Sequence, residues 1–335
     1  MNRLVALIAG LLVAVGVLVS GASARPAEGT RATDAKLTLV AYSTPREAYA
    51  RIIPLFQKSA AGKDVSFDQS YGSSGEQARA VRAGLAADVV ALSLEPDITE
   101  LVNAGLVDKN WNKGFYKGMV TTSVVVFAVR DGNPKKIRNW DDLIKPGVEV
   151  ITPNPLTSGG ARWNVMAAYG AQRKLGKTHK QATDYLLKLF QHVTVQDKSA
   201  RESLQTFLSG KGDVLLAYEN EAFFANKKGQ TLPYVIPRST ILIENPVAVV
   251  NKTAHPREAN AFVSFLRTPA AQKIFAENGY RPVVKSVAKQ YKFPARPGLF
   301  RIDQLGIGGW AKVQTQFFDP QKGIFTVIQR KAAGG

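Results

Sequence analysis

Four short stretches of this chain set serines, threonines and glycines where a β-strand should give way to a helix, and residues of that kind at that position can hold an anion. They are Ser43-Thr44-Pro45-Arg46-Glu47, Ser70-Tyr71-Gly72-Ser73-Ser74-Gly75-Glu76-Gln77, Pro155-Leu156-Thr157-Ser158-Gly159-Gly160-Ala161-Arg162-Trp163 and Lys198-Ser199-Ala200-Arg201-Glu202. In the first, Thr44 or Ser43 is placed to cap the helix, Pro45 suits its first turn, and Glu47 closes a capping box. In the second, Ser74 and Gln77 have capping-box spacing. The first turn of a helix presents unpaired N–H groups and the positive end of its dipole, so several of them converging make an anion site. A single junction of this type is ordinary capping. Four of them, two in each of the two lobes read below, predict a shared cleft.

Catalytic chemistry finds little support. His179, His192 and His255 are not at metal-ligand spacings, and the chain has no cysteine, which removes thiolate nucleophiles, thiolate metal sites and disulfides together. Ser74 lacks a Gly-x-Ser-x-Gly elbow, and Gly72, Gly75, Gly159 and Gly160 form neither a P-loop nor a dinucleotide fingerprint. Arg162 and Arg201, just inside their helices, read as braces for the loops rather than as direct ion partners. Trp111, Trp163 and Trp310 read as packing residues. No enzyme activity, cofactor or metal is expected.

The elements that must position the four junctions alternate in type. Strands are read at 37–42, 65–67 and 88–92, and helices at 76–86 and 96–104. The helix after the first strand shows one face, Tyr49, Ile52, Ile53 and Phe56, with Pro54 set to kink or shorten it. The β-branched run 119–129 predicts a strand that crosses between lobes, and 246–250 a return crossing. Between them come strands at 148–151, 193–195 and 213–217, and helices at 161–175, 181–192, 200–208 and 219–227. Helices at 256–266 and 269–278 follow. The reading is an α/β protein with a parallel-rich sheet, in two lobes joined by two crossings with a ligand cleft between them. Lobe 1 takes residues 36–122 plus 251–330, and lobe 2 takes 123–250.

The first residues give a location. Arg3, an apolar run from Leu4 to Val19, and Ala22-Ser23-Ala24 form a signal peptide cleaved near Ala24, rather than a permanent anchor. Residues 1–24 are set aside, and a periplasmic protein of about 310 residues remains from the 335. With no cysteine to acylate, a lipoprotein is not expected. The formal net charge of +18 comes from scattered lysines with no nucleic-acid motif, so it reads as solvated surface that steers small anions, not as a nucleic-acid face.

The same stretches carry a resemblance. Asn154-Pro155-Leu156-Thr157-Ser158-Gly159-Gly160-Ala161-Arg162 and Asp68-Gln69-Ser70-Tyr71-Gly72-Ser73-Ser74-Gly75 are similar to the two signatures of the periplasmic sulfate-binding proteins, which are type II periplasmic binding proteins. Asp108 to Trp111, Gly132 to Lys135, Trp140 to Pro146, Ala217 to Ala222, Tyr280 to Pro282 and Gly308 to Lys312 add to it, from about Lys36 to Phe325. The resemblance implies a periplasmic-binding-protein fold, a monomer, and import of sulfate or thiosulfate through the permease subunits of an ABC transporter. It implies a site of backbone N–H groups and hydroxyls at Ser43, Ser74, Ser158, Gly159, Gly160 and Ala200, with a ring donor at Tyr218. Ser43 stands where the family has an aspartate, Leu156 where it has a lysine, and Tyr218 where it has a tryptophan indole.

Sulfate is a dianion without a proton, so a dry site for it needs only donors, whereas hydrogen phosphate also brings an O–H that wants an acceptor. Donors alone are therefore expected, with Asp68, Glu76 and Glu202 facing elsewhere. Thiosulfate is the nearest rival ligand and molybdate or tungstate a more distant one. An extracytoplasmic hydrolase of sulfate or phosphate esters is the alternative from another class.

Overall fold

The computed structural model describes residues 35–294, 298–332 and 334. The segment read as an export signal lies outside the described residues. The chain opens with β1 (Ala35–Tyr42), α1 (Arg46–Gln57), β2 (Val65–Gly72), α2 (Ser74–Arg82), β3 (Val89–Ala91) and α3 (Glu95–Asn103). Tyr49, Ile52, Ile53 and Phe56 form the buried stripe of α1, as their spacing predicts. Pro54 lies within α1, which stops at Gln57, less than a turn beyond it.

Next comes β4 (Met119–Val129), an 11-residue strand buried on both faces. Val125, Phe127 and Val129 enter one core cluster and Val124, Val126 and Ala128 another, which explains why this strand reads as an unbroken β-branched run. After a short 3-10 turn at Trp140–Ile144 follow β5 (Val150–Ile151), α4 (Gly159–Lys174), α5 (His179–Gln191) and β6 (Val193–Val195). The chain continues through α6 (Ala200–Leu208), β7 (Val214–Tyr218), α7 (Glu219–Lys227), β8 (Tyr234–Val235) and β9 (Ser239–Val249). The ranges of β4, β6, α6 and α7 coincide with those read from the sequence.

The strands join in the order β2-β1-β3-β9-β4-β7-β5-β6. Pairing is parallel within β2-β1-β3 and within β7-β5-β6, and antiparallel where β9 meets β3 and β4 and where β4 meets β7. The two long strands are shared. The first half of β4 pairs with β9 and its second half, Val125 to Val129, with β7, while Val247 to Val249 of β9 pair with β3. Two parallel sets of strands are thus joined through β4 and β9, the crossings expected of a two-lobed binding protein.

The remainder is α8 (Pro256–Phe265), α9 (Pro269–Glu277), β10 (Arg281–Pro282), α10 (Lys285–Ala288), β11 (Gly298–Phe300), α11 (Gly309–Phe317) and α12 (Ile324–Ala332). The last two helices reach α4 and α5. Trp310 meets Trp163 edge to face at 4.7 Å, Phe317 meets Tyr169 at 4.9 Å, and Phe325 meets Phe190 at 4.7 Å. Among the described residues, no helix is long and apolar enough to cross a membrane.

Candidate anion site

The loops that follow β1, β2, β3, β5, β6 and β7 meet at one small cavity of about 10 Å³, lined by Tyr42, Ser43, Thr44, Ser73, Ser74, Ser93, Ser158, Gly160, Ala200 and Tyr218. It is smaller than the roughly 300 Å³ at which pockets for drug-sized molecules begin. Six of the seven residues expected from the sequence lie on its wall: Ser43, Ser74, Ser158, Gly160, Ala200 and Tyr218. The seventh, Gly159, is packed behind the wall. A methyl group at its Cα would stand 2.0 Å from Ser93 Oγ and 2.1 Å from a Leu94 methyl, so only glycine lets α4 start this close to β3.

Four helix starts point at this space. Ser158 caps α4 by accepting from Ala161 N–H at 3.4 Å, and Ser199 caps α6 by accepting from Glu202 N–H at 3.3 Å. Those bonds satisfy later N–H groups and leave the earlier ones free. The N–H groups of Gly159, Gly160 and Ala200, at the first and second positions of their helices, make no hydrogen bond, and the same holds for Ser43 and Ser74.

The first two junctions differ in detail from their sequence reading. Ser73, not Ser74, is the cap of α2, and its Oγ donates to Glu76 at 2.6 Å. Ser74 becomes the first helical residue, with its hydroxyl donating to Asp97 at 2.5 Å and accepting from Ser93 N–H at 2.9 Å. At α1, Pro45 occupies the cap position, Thr44 pairs with Tyr280 Oη at 2.8 Å, and Glu47 closes no box but binds Arg201.

No carboxylate and no cation is among the residues lining the cavity. Asp68 pairs with Lys36 and Glu202 accepts from Lys198 N–H, so both face away, as does Glu76 on Ser73. Asp97 lies behind Ser74 with Arg162 3.5 Å away; burial pushes its carboxyl up, and Arg162 and the Ser74 hydroxyl oppose that. Glu219 is bound by Arg281 at 2.8 Å, and Glu221 by Arg201 at 3.0 Å. Arg162 also donates to Pro155 O at 3.0 Å, and Arg201 also reaches Thr44 O at 3.3 Å, so both brace loops, as expected. The three histidines are elsewhere: His179 on Tyr169, His192 on Val148 O, and His255 at the start of α8.

Tyr42, Thr44, Ser73 and Ser93 were not singled out from the sequence as site residues. Ser93 had an available signal, since Leu92-Ser93-Leu94-Glu95-Pro96 is a fifth strand-to-helix junction with proline in the first turn of α3. Tyr42 had none, because it closes an apolar strand. The arrangement as a whole can hold a small anion by oriented N–H and O–H donors, with helix dipoles in place of a counter-ion, each contributing about 0.3–1 kcal/mol and up to ~2 where partly buried.

Residues 37–281 match the family model of the bacterial extracellular solute-binding proteins. The chain is 44% identical over 326 residues to the sulfate-binding protein of Synechococcus elongatus, covering 94% of this chain and 90% of that one. A more distant relative, the thiosulfate-binding protein of Pseudomonas aeruginosa, is 35% identical, with 95% and 96% of the two chains covered. In structure, the chain superposes on the sulfate-binding protein SubI from Mycobacterium tuberculosis with a TM-score of 0.82 and 45% identity, over 85% of this chain and all of that one. With relatives this similar along nearly its whole length, the chain belongs to the sulfate-binding proteins within the bacterial extracellular solute-binding family.

Proposed function

We propose that this protein, once exported, closes its lobes on one sulfate dianion and delivers it as a monomer to the permease of an ABC-type importer. The observation that carries the reading is the convergence of four helix starts, with unpaired N–H groups, on a small cavity whose lining residues are all uncharged. Such a wall suits an anion that carries no proton, and dipoles spread over four helices replace a buried cation and its desolvation cost. Thiosulfate, of the same charge with one larger atom, is the second ligand, favoured by the relative that bears that name. Turnover of esters is disfavoured, because the cavity wall holds serines but no histidine or carboxylate to serve as their base.

We draw the lobes as read from the crossings, residues 36–122 with 251–330 and residues 123–250, with one amendment. Because α12 rests on α5 and the Trp310 and Phe317 rings of α11 meet α4, although α11 also touches α3, we place 302–330 with the second lobe.

Calorimetric titration of anion-free protein with sulfate, thiosulfate and molybdate is expected to show one-to-one binding, tightest for sulfate. A hydrogen bond to a charged group contributes about 1.5–3 kcal/mol, so Ser158→Ala should weaken binding by roughly 10- to 150-fold. Ser74→Ala should cost at least as much, since it also strips Asp97 and Ser93 N–H of a partner. Absence of binding to all three anions, or steady hydrolysis of sulfate esters by pure protein, would overturn the reading.

Closure has its own test. Gly75 N–H donates to Thr157 O at 3.0 Å across the cleft, and a methyl group on Gly75 would stand 2.9 Å from that oxygen. Gly75→Ala should therefore hold the lobes apart. The expected result is a larger radius of gyration in the presence of sulfate and about tenfold faster release, the equivalent of roughly 1.4 kcal/mol lost from the closed state. Unchanged release would show that closure does not pass through this contact.

A further inference from the structure

A groove of about 680 Å³ runs between α3 and α11, and it shares no residue with the anion cavity. Glu95, Thr99 and Asn103 recur every four residues along its α3 side, and Ala311 and Thr315 along its α11 side, so each wall is one face of a helix. Arg162 and Trp310 line it as well. Since α3 follows β3 of the first lobe, while Trp310 and Phe317 of α11 meet α4 of the second, the groove lies between the lobes. Small-molecule sites favour such boundaries, and their volumes run from roughly 300 to 1,000 Å³.

Both cations that line the groove are engaged. Arg82 pairs with Glu100 at 2.9 Å, and Arg162 lies 3.5 Å from Asp97 and donates to Gln314 at 3.3 Å. One carboxylate is left over. Among the described residues, Glu95 makes no hydrogen bond or ion pair through its side chain, and the charged group acting on it is another acid, Glu244. Glu244 has its own counter-ion in Arg301 at 3.3 Å, with Asp303 and Lys117 acting on it more weakly. Burial and Glu244 both push the Glu95 carboxyl up, and no cation opposes them. An acid in the first turn of α3 suits the helix dipole, which explains the charge but not the groove in front of it. A perturbed carboxyl in a groove that also offers the apolar flanks of Pro96 and Trp310 and the amides of Asn103 and Gln314 marks a binding site.

We propose that the groove is a second binding site, for a small organic amine whose ammonium group is held by Glu95 and whose body reaches from α3 to α11, and that this ligand favours the closed form. Such a ligand needs both walls in place, so it binds the closed arrangement better than the open one and raises the affinity for sulfate. By linkage, sulfate raises the affinity for the amine by the same factor. That coupling, unlike the site itself, rests on the reading of lobes that close on sulfate. A second connection runs through Arg162, which lines the groove and lies beside Asp97, the partner of the Ser74 hydroxyl in the anion site.

The test is calorimetric titration of the whole protein at pH 8, where carboxylates and amines are both charged, with putrescine and spermidine as chloride salts and butanediol as the uncharged control. Each amine is titrated into anion-free and into sulfate-loaded protein. One-to-one amine binding is expected, at least about fivefold tighter with sulfate bound, and none of the diol. Glu95→Gln should weaken amine binding by about tenfold or more while the sulfate Kd measured without amine stays within about threefold of the parent. Ala311→Trp, which fills the groove from an exposed position on α11, should abolish amine binding. Failure of both amines to bind at millimolar concentration, or amine binding that survives both substitutions, would overturn the proposal and leave the sulfate reading intact. Equal amine affinity with and without sulfate would overturn the coupling. If sulfate itself does not bind, the sulfate reading falls, and the titrations of anion-free protein still decide whether the groove holds an amine.

Discussion

Gly160→Ala is expected to abolish useful ligand binding in a protein that folds normally. A methyl group at this position would stand 3.4 Å from Ser158 Oγ, 3.4 Å from Tyr218 Cε1 and 3.7 Å from Ala200 Cβ. These are ordinary van der Waals contacts, so the protein accepts the methyl without moving. Gly160 lies in the first turn of α4 and is not among the residues with positive φ, so alanine meets no backbone strain there. Replacing a helical glycine by alanine favours folding by up to about 1 kcal/mol. The accommodation itself is the damage. The three neighbours come from α4, β7 and α6 and surround the space a ligand oxygen must enter, next to the Gly160 N–H that would bind it. Loss of that charge-assisted bond together with exclusion of the oxygen should weaken sulfate binding by at least about a hundredfold. Calorimetric titration reads the binding, and the melting temperature without ligand should be unchanged or slightly higher. A variant that binds sulfate within about threefold of the parent would place the ligand elsewhere.

The contrast between Gly159 and Gly160 also shows where sequence reasoning reaches its limit. Side by side in one motif, the two glycines look alike. One is required by the packing of α4 on Ser93 and Leu94, and the other keeps the cavity open. The distinction depends on β3, some 70 positions away, and nothing local carries it. Ser73 and Ser74 pose a similar ambiguity, since Ser73 with Glu76 and Ser74 with Gln77 both fit the capping box. The structure resolves it through a distant partner, because Asp97 and Ser93 take the Ser74 hydroxyl. Asp97 itself was hidden by a sufficient local explanation, that of an acid in the first turn of α3.

What was legible had strong local causes. The buried stripe of α1, the doubly buried strand β4 and the hydroxyl-rich helix starts each follow from a pattern within about ten residues. The tail beyond Tyr280 was unread for the opposite reason. Its strands β10 and β11 are two and three residues long, too short for any period to show, and its helices are placed by aromatic contacts with α4 and α5.

The largest loss of stability is expected at Arg201, which ties the two sides of the cleft together. From α6 its guanidinium binds Glu221 of α7 at 3.0 Å, Glu47 of α1 at 2.8 Å and Thr44 O at 3.3 Å, and it lies 3.9 Å above the Phe224 ring. Arg201 is 15% exposed and Glu221 only 2%, so Arg201→Met would leave a buried carboxylate without a counter-charge. Breaking a pair of this kind costs about 3–5 kcal/mol. The two acids then respond to pH in opposite senses. Burial of Glu47 works to raise its pKa, but the hydrogen bonds and charge of Arg201 outweigh it and hold the carboxyl below its usual range. The Glu47 arm therefore adds stability above the unfolded pKa, which is lost as pH falls through the folded one. Burial pushes Glu221 up, with Arg201 opposing, so the folded form holds that proton more tightly than the unfolded chain and stability falls as pH rises between the two values. In Arg201→Met the Glu47 bond is gone and Glu221 is pushed higher still. The variant should consequently regain stability as pH is lowered from neutral toward the range in which Glu221 protonates, whereas the parent loses its Glu47 contribution on acidification. Denaturant melts at several pH values read both trends, and Glu221→Gln added to Arg201→Met should restore part of the loss at neutral pH by removing the stranded charge. If Arg201→Met has the same stability profile as the parent, the ion pairs contribute nothing to the fold, and closure of the cleft must rest on the ligand and on contacts such as that of Gly75 with Thr157.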